Sequence, residues 1–224
     1  MRIEAVKTIC LSIAMTIILS VTIGVAVARA FDRGSQPEHF LQLPLVRQST
    51  DYSCGVAALQ SVLYYYGEEI REDRLAKALG TTSQDGTDYR KIISFSNKVF
   101  QNPDRRNLQM SKQTDMTIED LKLLVDAKKP TIVLIQAWAN PGVDWANDWE
   151  DGHYVVVVGY DDSNIYFVDP STLGHYTYIP IPEFRDRWHD LDPSTGEKLV
   201  HFGLVIGNDD KVPTYRPKHI KRMN

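Results

Sequence analysis

The sequence predicts an α+β domain in which helices from the first half of the body pack on a mainly antiparallel sheet from the second half. Three observations carry this. Between residues 55 and 126, apolar residues recur at three- and four-residue steps, the period of a helix with one buried face. After Pro130 the pattern changes to short apolar, β-branched runs, the pattern of buried strands. Asp161-Asp162-Ser163-Asn164 separates two of these runs and has the composition of a hairpin turn. Helices first and strands second is the order of an α+β fold.

In chain order, Arg2 and Lys7 precede an apolar run from Thr8 to Val27, and Ala28-Arg29-Ala30 supplies a small-x-small cleavage site. A basic start, an apolar middle and a small-residue end describe a secretory signal. The run is also long enough to cross a bilayer as one helix. Residues 1–30 are therefore read as a cleavable signal or an N-terminal membrane anchor, with membrane contact through residues 8–27 in the second case. Positive charge stays on the cytoplasmic side. Both readings place the body outside the cytoplasm, periplasmic or extracellular, free or held at the inner membrane.

Residues 31–40 read as a linker. Leu41–Val46 alternates loosely, as an edge strand whose pairing Pro44 limits. Gly55–Tyr66 is a helix with Val56, Leu59, Val62, Leu63 and Tyr66 on its apolar face, and Gly67 ends it. Glu69–Leu79 is a second helix, stopped by Gly80, and Asp88–Val99 a third. Thr117–Asp120 has the spacing of a capping box before Leu121, Leu124 and Val125, and Pro130 closes that helix. Strands are expected at Thr131–Gln136, His153–Tyr160, Ile165–Val168, Ile179–Ile181 and Val200–Ile206.

The 224 residues are 43% hydrophobic and 24% charged, a globular balance. The chain after the leader suffices for one core, assigned to residues 41–210. Net charge is −4, and the body is more acidic still, because the leader holds three cations and one anion. An acidic body argues against nucleic acid as the main partner. Residues 211–224 form a basic tail with Lys211, Arg216, Lys218, Lys221 and Arg222, either a solvated terminus or a contact for an anionic surface.

The chain has two cysteines, and Cys10 lies inside the leader. The body therefore carries one thiol, Cys54, which cannot form a disulfide within the body. A lone cysteine with His and Asp elsewhere in the chain is a candidate nucleophile. Cys54 opens the first helix-like run, and a helix N-terminus beside an imidazolium favours a thiolate. His153 begins a strand-like run and is the candidate that delivers a proton to a leaving amine. Asp169 ends the next run and would bond the other ring nitrogen, fixing its orientation; by itself, before Pro170, it reads as a turn residue. The interval of sixteen residues fits two short strands and the Asp161–Asn164 turn. Gln48, six residues before Cys54, offers a neutral amide donor to a developing oxyanion, together with the Cys54 backbone N–H.

Gln-Ser-Thr-Asp-Tyr-Ser-Cys-Gly-Val-Ala-Ala-Leu from Gln48, Asp-Gly-His-Tyr-Val-Val-Val-Val-Gly-Tyr-Asp from Asp151 and Tyr-Phe-Val-Asp-Pro from Tyr166 together resemble cysteine peptidase family 39. These papain-like peptidases are best known from bacteriocin-exporting transporters, where they remove leader peptides after a double glycine. The resemblance spans roughly residues 43–188. It implies a papain-like fold, with Cys54 as nucleophile, His153 as general base and acid, Asp169 as the orienting acid and Gln48 as oxyanion donor. The chain lacks a G-x-x-x-x-G-K-[ST] loop and a multi-span region, so it is similar to stand-alone exported members, some associated with secretion of extracellular fibre or amyloid proteins.

Trp138, Trp145 and Trp149 lie among Asp144, Asp148, Glu150 and Asp151 directly before His153. This segment is either a surface loop over packed tryptophans or an aromatic, acidic cleft wall in which Trp145, Trp149 and Asp151 meet substrate. His39, His175, His189, His201 and His219 show no ligand spacing on one helix, so no metal or cofactor is expected; Trp188-His189-Asp190 could pack near the cleft but is read as structural. The function expected is a cysteine endopeptidase acting on an exported protein or leader segment, with a secretion-system component among its partners. The alternatives are amidase or transpeptidase acyl chemistry, or a peptide-docking module without catalysis.

Overall fold

A computed structural model describes residues 36–101, 108–138, 142–207 and 215. The expected leader and most of the basic tail lie outside the described residues. Among those described, no helix is long and apolar enough to cross a membrane.

The strands of the main sheet run in the order β2-β9-β3-β4-β5-β6. They are β2 (Gln109–Gln113), β3 (Thr131–Gln136), β4 (Gly152–Tyr160), β5 (Asn164–Val168), β6 (Thr177–Pro180) and β9 (Gly203–Gly207). Every pairing is antiparallel, and the two-residue β1 (His39–Phe40) adds to the far end of β4. β7 (His189–Leu191) and β8 (Lys198–Val200) form a separate ribbon. The expected α+β architecture, helices packed on an antiparallel sheet, is the one observed.

The first helix, α1 (Cys54–Tyr65), is central because its sequence is apolar nearly all round; Val56 through Leu59, Val62 and Leu63 are fully buried. It packs on β4, whose residues from His153 to Gly159 are also buried. α2 (Glu72–Leu79) and α3 (Tyr89–Phe100) pack beside α1, α4 (Ile118–Asp126) packs on β4 and β1, and α5 (Ile181–Arg187) packs against β6. The α4 capping box forms as expected: Thr117 Oγ1 accepts from Asp120 N at 3.1 Å and Asp120 Oδ2 from Thr117 N at 2.8 Å. The β4–β5 turn is built by Asp161, whose Oδ1 accepts from the N–H groups of Ser163 and Asn164, both at 2.7 Å.

Several expected boundaries are corrected. Leu41–Val46 is not a strand; its one sheet bond is Leu41 N to Val158 O at 2.7 Å, and the strand is His39–Phe40, at the end of the expected linker. The second helix starts at Glu72 rather than Glu69, because Arg71 is extended and the Ile70 carbonyl accepts from Gln60 Nε2 at 2.7 Å. Val200–Ile206 is two strands, not one. His201 sits at φ 46° between them and donates its N–H to Trp188 O. β6 ends at Pro180, and Ile181 opens α5, which the alternating pattern hid. The polar strand β2 and the ribbon strand β7 had no apolar signal to reveal them.

Candidate active site

Cys54 is the first residue of α1. The preceding loop is a hydrogen-bonded knot. Thr50 O accepts from Gln48 Nε2 at 2.7 Å and from Ser53 Oγ, while Glu72 Oε1 on α2 accepts from Ser49 N and Ser53 Oγ, both at 2.9 Å. Gln48 N donates to Pro170 O at 2.9 Å, which ties this loop to the end of β5. Gly55 permits the close approach of α1 to β4: a Cβ there would stand 2.8 Å from Thr87 Cβ and 3.0 Å from the Tyr154 ring.

His153 is the second residue of β4 and is 1% exposed. Its Nε2 donates to Asp169 Oδ1 at 2.8 Å. Nδ1 is buried and has no oxygen or nitrogen partner; the other ionisable side chain that interacts with the ring is Cys54. Burial disfavours the charged ring, but the hydrogen bonds to Asp169 and Cys54 outweigh it, and the pKa is pushed up to about 9. This rise favours the protonated ring. Burial also works against the Asp169 carboxylate, yet its bonds to His153 and to the N–H and hydroxyl of Ser171 hold it below the usual carboxylate range. Asp169 turns out to be turn residue and ring partner together, since its carbonyl also accepts from Thr172 N at 3.1 Å. The two residues are not direct cross-strand neighbours: Val168 pairs with Val156, so Asp169 lies beyond the paired segment and its side chain reaches back to the ring.

A cleft of about 600 Å³ opens at Cys54, with Thr87, Trp149, Gly152, Tyr154 and Asp190 among its walls. A second, of about 530 Å³, is lined by Arg47–Asp51, Trp138 and Ser171. Structure thus brings Cys54, His153 and Asp169 together, and sets Gln48 in the adjoining cleft with one amide hydrogen committed to Thr50 O. Of the three residues expected to meet substrate, Trp149 lines the first cleft, its ring 4.1 Å from that of His189 and under Lys198 Nζ. Trp145 and Asp151 line neither cleft. Trp145 lies beneath the Arg187 guanidinium, and Asp151 donates its backbone N–H to Gln136 Oε1. Among the described residues, no group of three or more His, Cys, Asp or Glu side chains is placed to hold a metal ion.

In the sequence alone, Asp190, Gln136 and Trp138 carry no site role of their own. Asp190 lines the Cys54 cleft, and burial raises its carboxyl to about pKa 6 despite N–H donation from Leu191 and Gln136 Nε2. Its carboxylate lies against the Gly152 Cα, where any Cβ would overlap it. The Trp188-His189-Asp190 run, read from the sequence as structural, reaches the cleft through Asp190, 136 residues from Cys54 along the chain. Trp138, at φ 56°, packs its ring 4.5 Å from that of His153 and is 58% exposed. A bulky side chain at positive φ is strained and marks a position held by its surroundings.

A cysteine at a helix start beside a carboxylate-bonded histidine is the arrangement that a thiol nucleophile requires. Residues 40–195 match the Peptidase_C39 like family, most of the chain, and the protein belongs to that family. An uncharacterized protein of Methanothermobacter marburgensis is 29% identical over 127 residues, 57% of this chain and 71% of its own. One from Methanothermobacter thermautotrophicus is 29% identical over 133 residues, 59% and 75%. A C39-like chain from Bacillus anthracis has the same fold, with a TM-score of 0.58 at 20% identity, covering 77% of this chain and 98% of that one. So does the peptidase domain of Streptococcus ComA, a bi-functional ABC transporter, with a TM-score of 0.53 at 21% identity over 75% and 98%.

Proposed function

We propose that this protein is an exported cysteine endopeptidase that cleaves a peptide bond in another exported protein or its leader segment. One observation carries the reading: in a member of this family, a buried His153 is bonded to Asp169 and interacts with Cys54 at the mouth of a cleft. An imidazolium beside a thiol favours the thiolate, which is the nucleophile. Cys54 Sγ attacks the substrate carbonyl carbon, and the oxyanion is met by the Cys54 N–H at the start of α1 and by the Gln48 amide. The carbon–nitrogen bond breaks as His153 gives its proton to the leaving amine, leaving a thioester on Cys54. Water, deprotonated by His153, then attacks the thioester; the acid product leaves and the thiolate–imidazolium pair is restored. Asp169 holds the ring in place throughout. Export rests on Arg2, Lys7, the apolar run 8–27 and Ala28-Arg29-Ala30.

The test compares the termini of exported proteins, by mass spectrometry, in cells carrying the wild-type or the Cys54→Ala chain. New termini that depend on Cys54 are expected. Identical termini in both would overturn the proposal.

A further inference from the structure

The two clefts share no lining residue: Cys54 lines the first, and Trp138, whose ring packs on that of His153, lines the second. We propose that the second cleft binds the leaving side of the substrate, with Trp138 the side chain that selects the residue following the cleaved bond. This rests on the peptidase reading above.

The assignment of sides follows from the chemistry. The acyl half of the substrate becomes covalently attached to Cys54, and Cys54 lines the first cleft. The amine half departs with a proton from His153, and the ring packed on His153 belongs to Trp138, which lines the second cleft. A polypeptide crossing the reacting atoms therefore leaves the first cleft and enters the second. There it meets an indole that is more than half exposed although its ring packs on a buried residue. An apolar or aromatic side chain is the complement of that surface.

The experiment digests a library of proteome-derived peptides with the purified full chain and reads the residues on both sides of each cut by mass spectrometry. Phe, Tyr, Trp, Leu and Met are expected to be enriched immediately after the cleaved bond, on the order of fivefold to tenfold, as a side chain gaining an aromatic contact should be. Trp138→Ala is expected to erase that enrichment while keeping the preferences before the bond, and Trp138→Phe to retain most of it. A merely structural role for Trp138 lowers the rate without changing the sequence profile. No enrichment after the bond, or an enrichment that Trp138→Ala leaves intact, overturns the proposal. A wild-type chain that cuts nothing beyond a Cys54→Ala control overturns the peptidase reading itself, and this inference with it.

Discussion

Burying an imidazolium ties the stability of this protein to pH in a direction opposite to that of most surface groups. His153 has an ordinary pKa of 6.5 when unfolded and about 9 in the fold. Because the folded state holds the proton more tightly, the stabilisation is fully present below pH 6.5 and is lost as pH rises through 9. At about 1.4 kcal/mol per pH unit, the difference amounts to about 3 kcal/mol, a sizeable share of a domain's total stability. Asp190, raised to about 6, lies below this window, and buried Tyr154, raised well above the usual tyrosine value, lies beyond it. The perturbation is Asp169→Asn, which removes the carboxylate contributing most to the rise. The assay is urea unfolding at intervals from pH 6 to 10. Wild type should lose about 3 kcal/mol across the range, with the steepest loss between 6.5 and 9, and the variant should lose much less. Parallel curves, or a wild-type curve that is flat, would show that His153 is not held as an imidazolium by Asp169. The comparison is of slopes, so any fixed cost of the substitution cancels.

Two further predictions concern rate and packing. Gln48→Ala should lower kcat on a cleaved peptide by about 10²–10³ with little change in KM if its amide meets the oxyanion, and a loss under tenfold would leave Gln48 as a loop anchor only. Gly152→Ala should destabilise the fold by about 1–3 kcal/mol, because the added Cβ overlaps the Asp190 carboxylate. The double variant Gly152→Ala with Asp190→Ala should recover much of that in urea unfolding, and equal stability of the single and double variants would locate the clash elsewhere.

The elements that sequence reading located well are those whose patterns are local. The all-apolar α1, the capping box at Thr117 and Asp120, the β-branched run of β3 and the Asp161 turn each carry their instructions within a dozen residues. The α+β order and the antiparallel β4–β5 hairpin follow from them, as does the position of Cys54 at a helix start. Elements without a local apolar signal were missed: β2 reads Gln-Met-Ser-Lys-Gln, and α5 follows directly on the apolar end of β6. His201 split a continuous-looking strand because its backbone bond to Trp188 is tertiary.

By itself the sequence determined which residue types were available for acyl chemistry, and where along the chain they stand. Residue identity and local periodicity are properties of neighbours, so no fold is needed to see them. What only the tertiary structure decided is how those residues meet: that Asp169 reaches His153 from beyond the strand pairing, that Trp149 faces the cleft while Trp145 lies under Arg187, and that Asp190 and Trp138 stand beside the reacting pair. Those contacts join segments far apart in the chain, as Gln136 does with Asp190 across 54 residues. They depend on how α1, β4 and the β7–β8 ribbon pack, and burial, which sets the charge of His153 and Asp190, exists only once that packing excludes water.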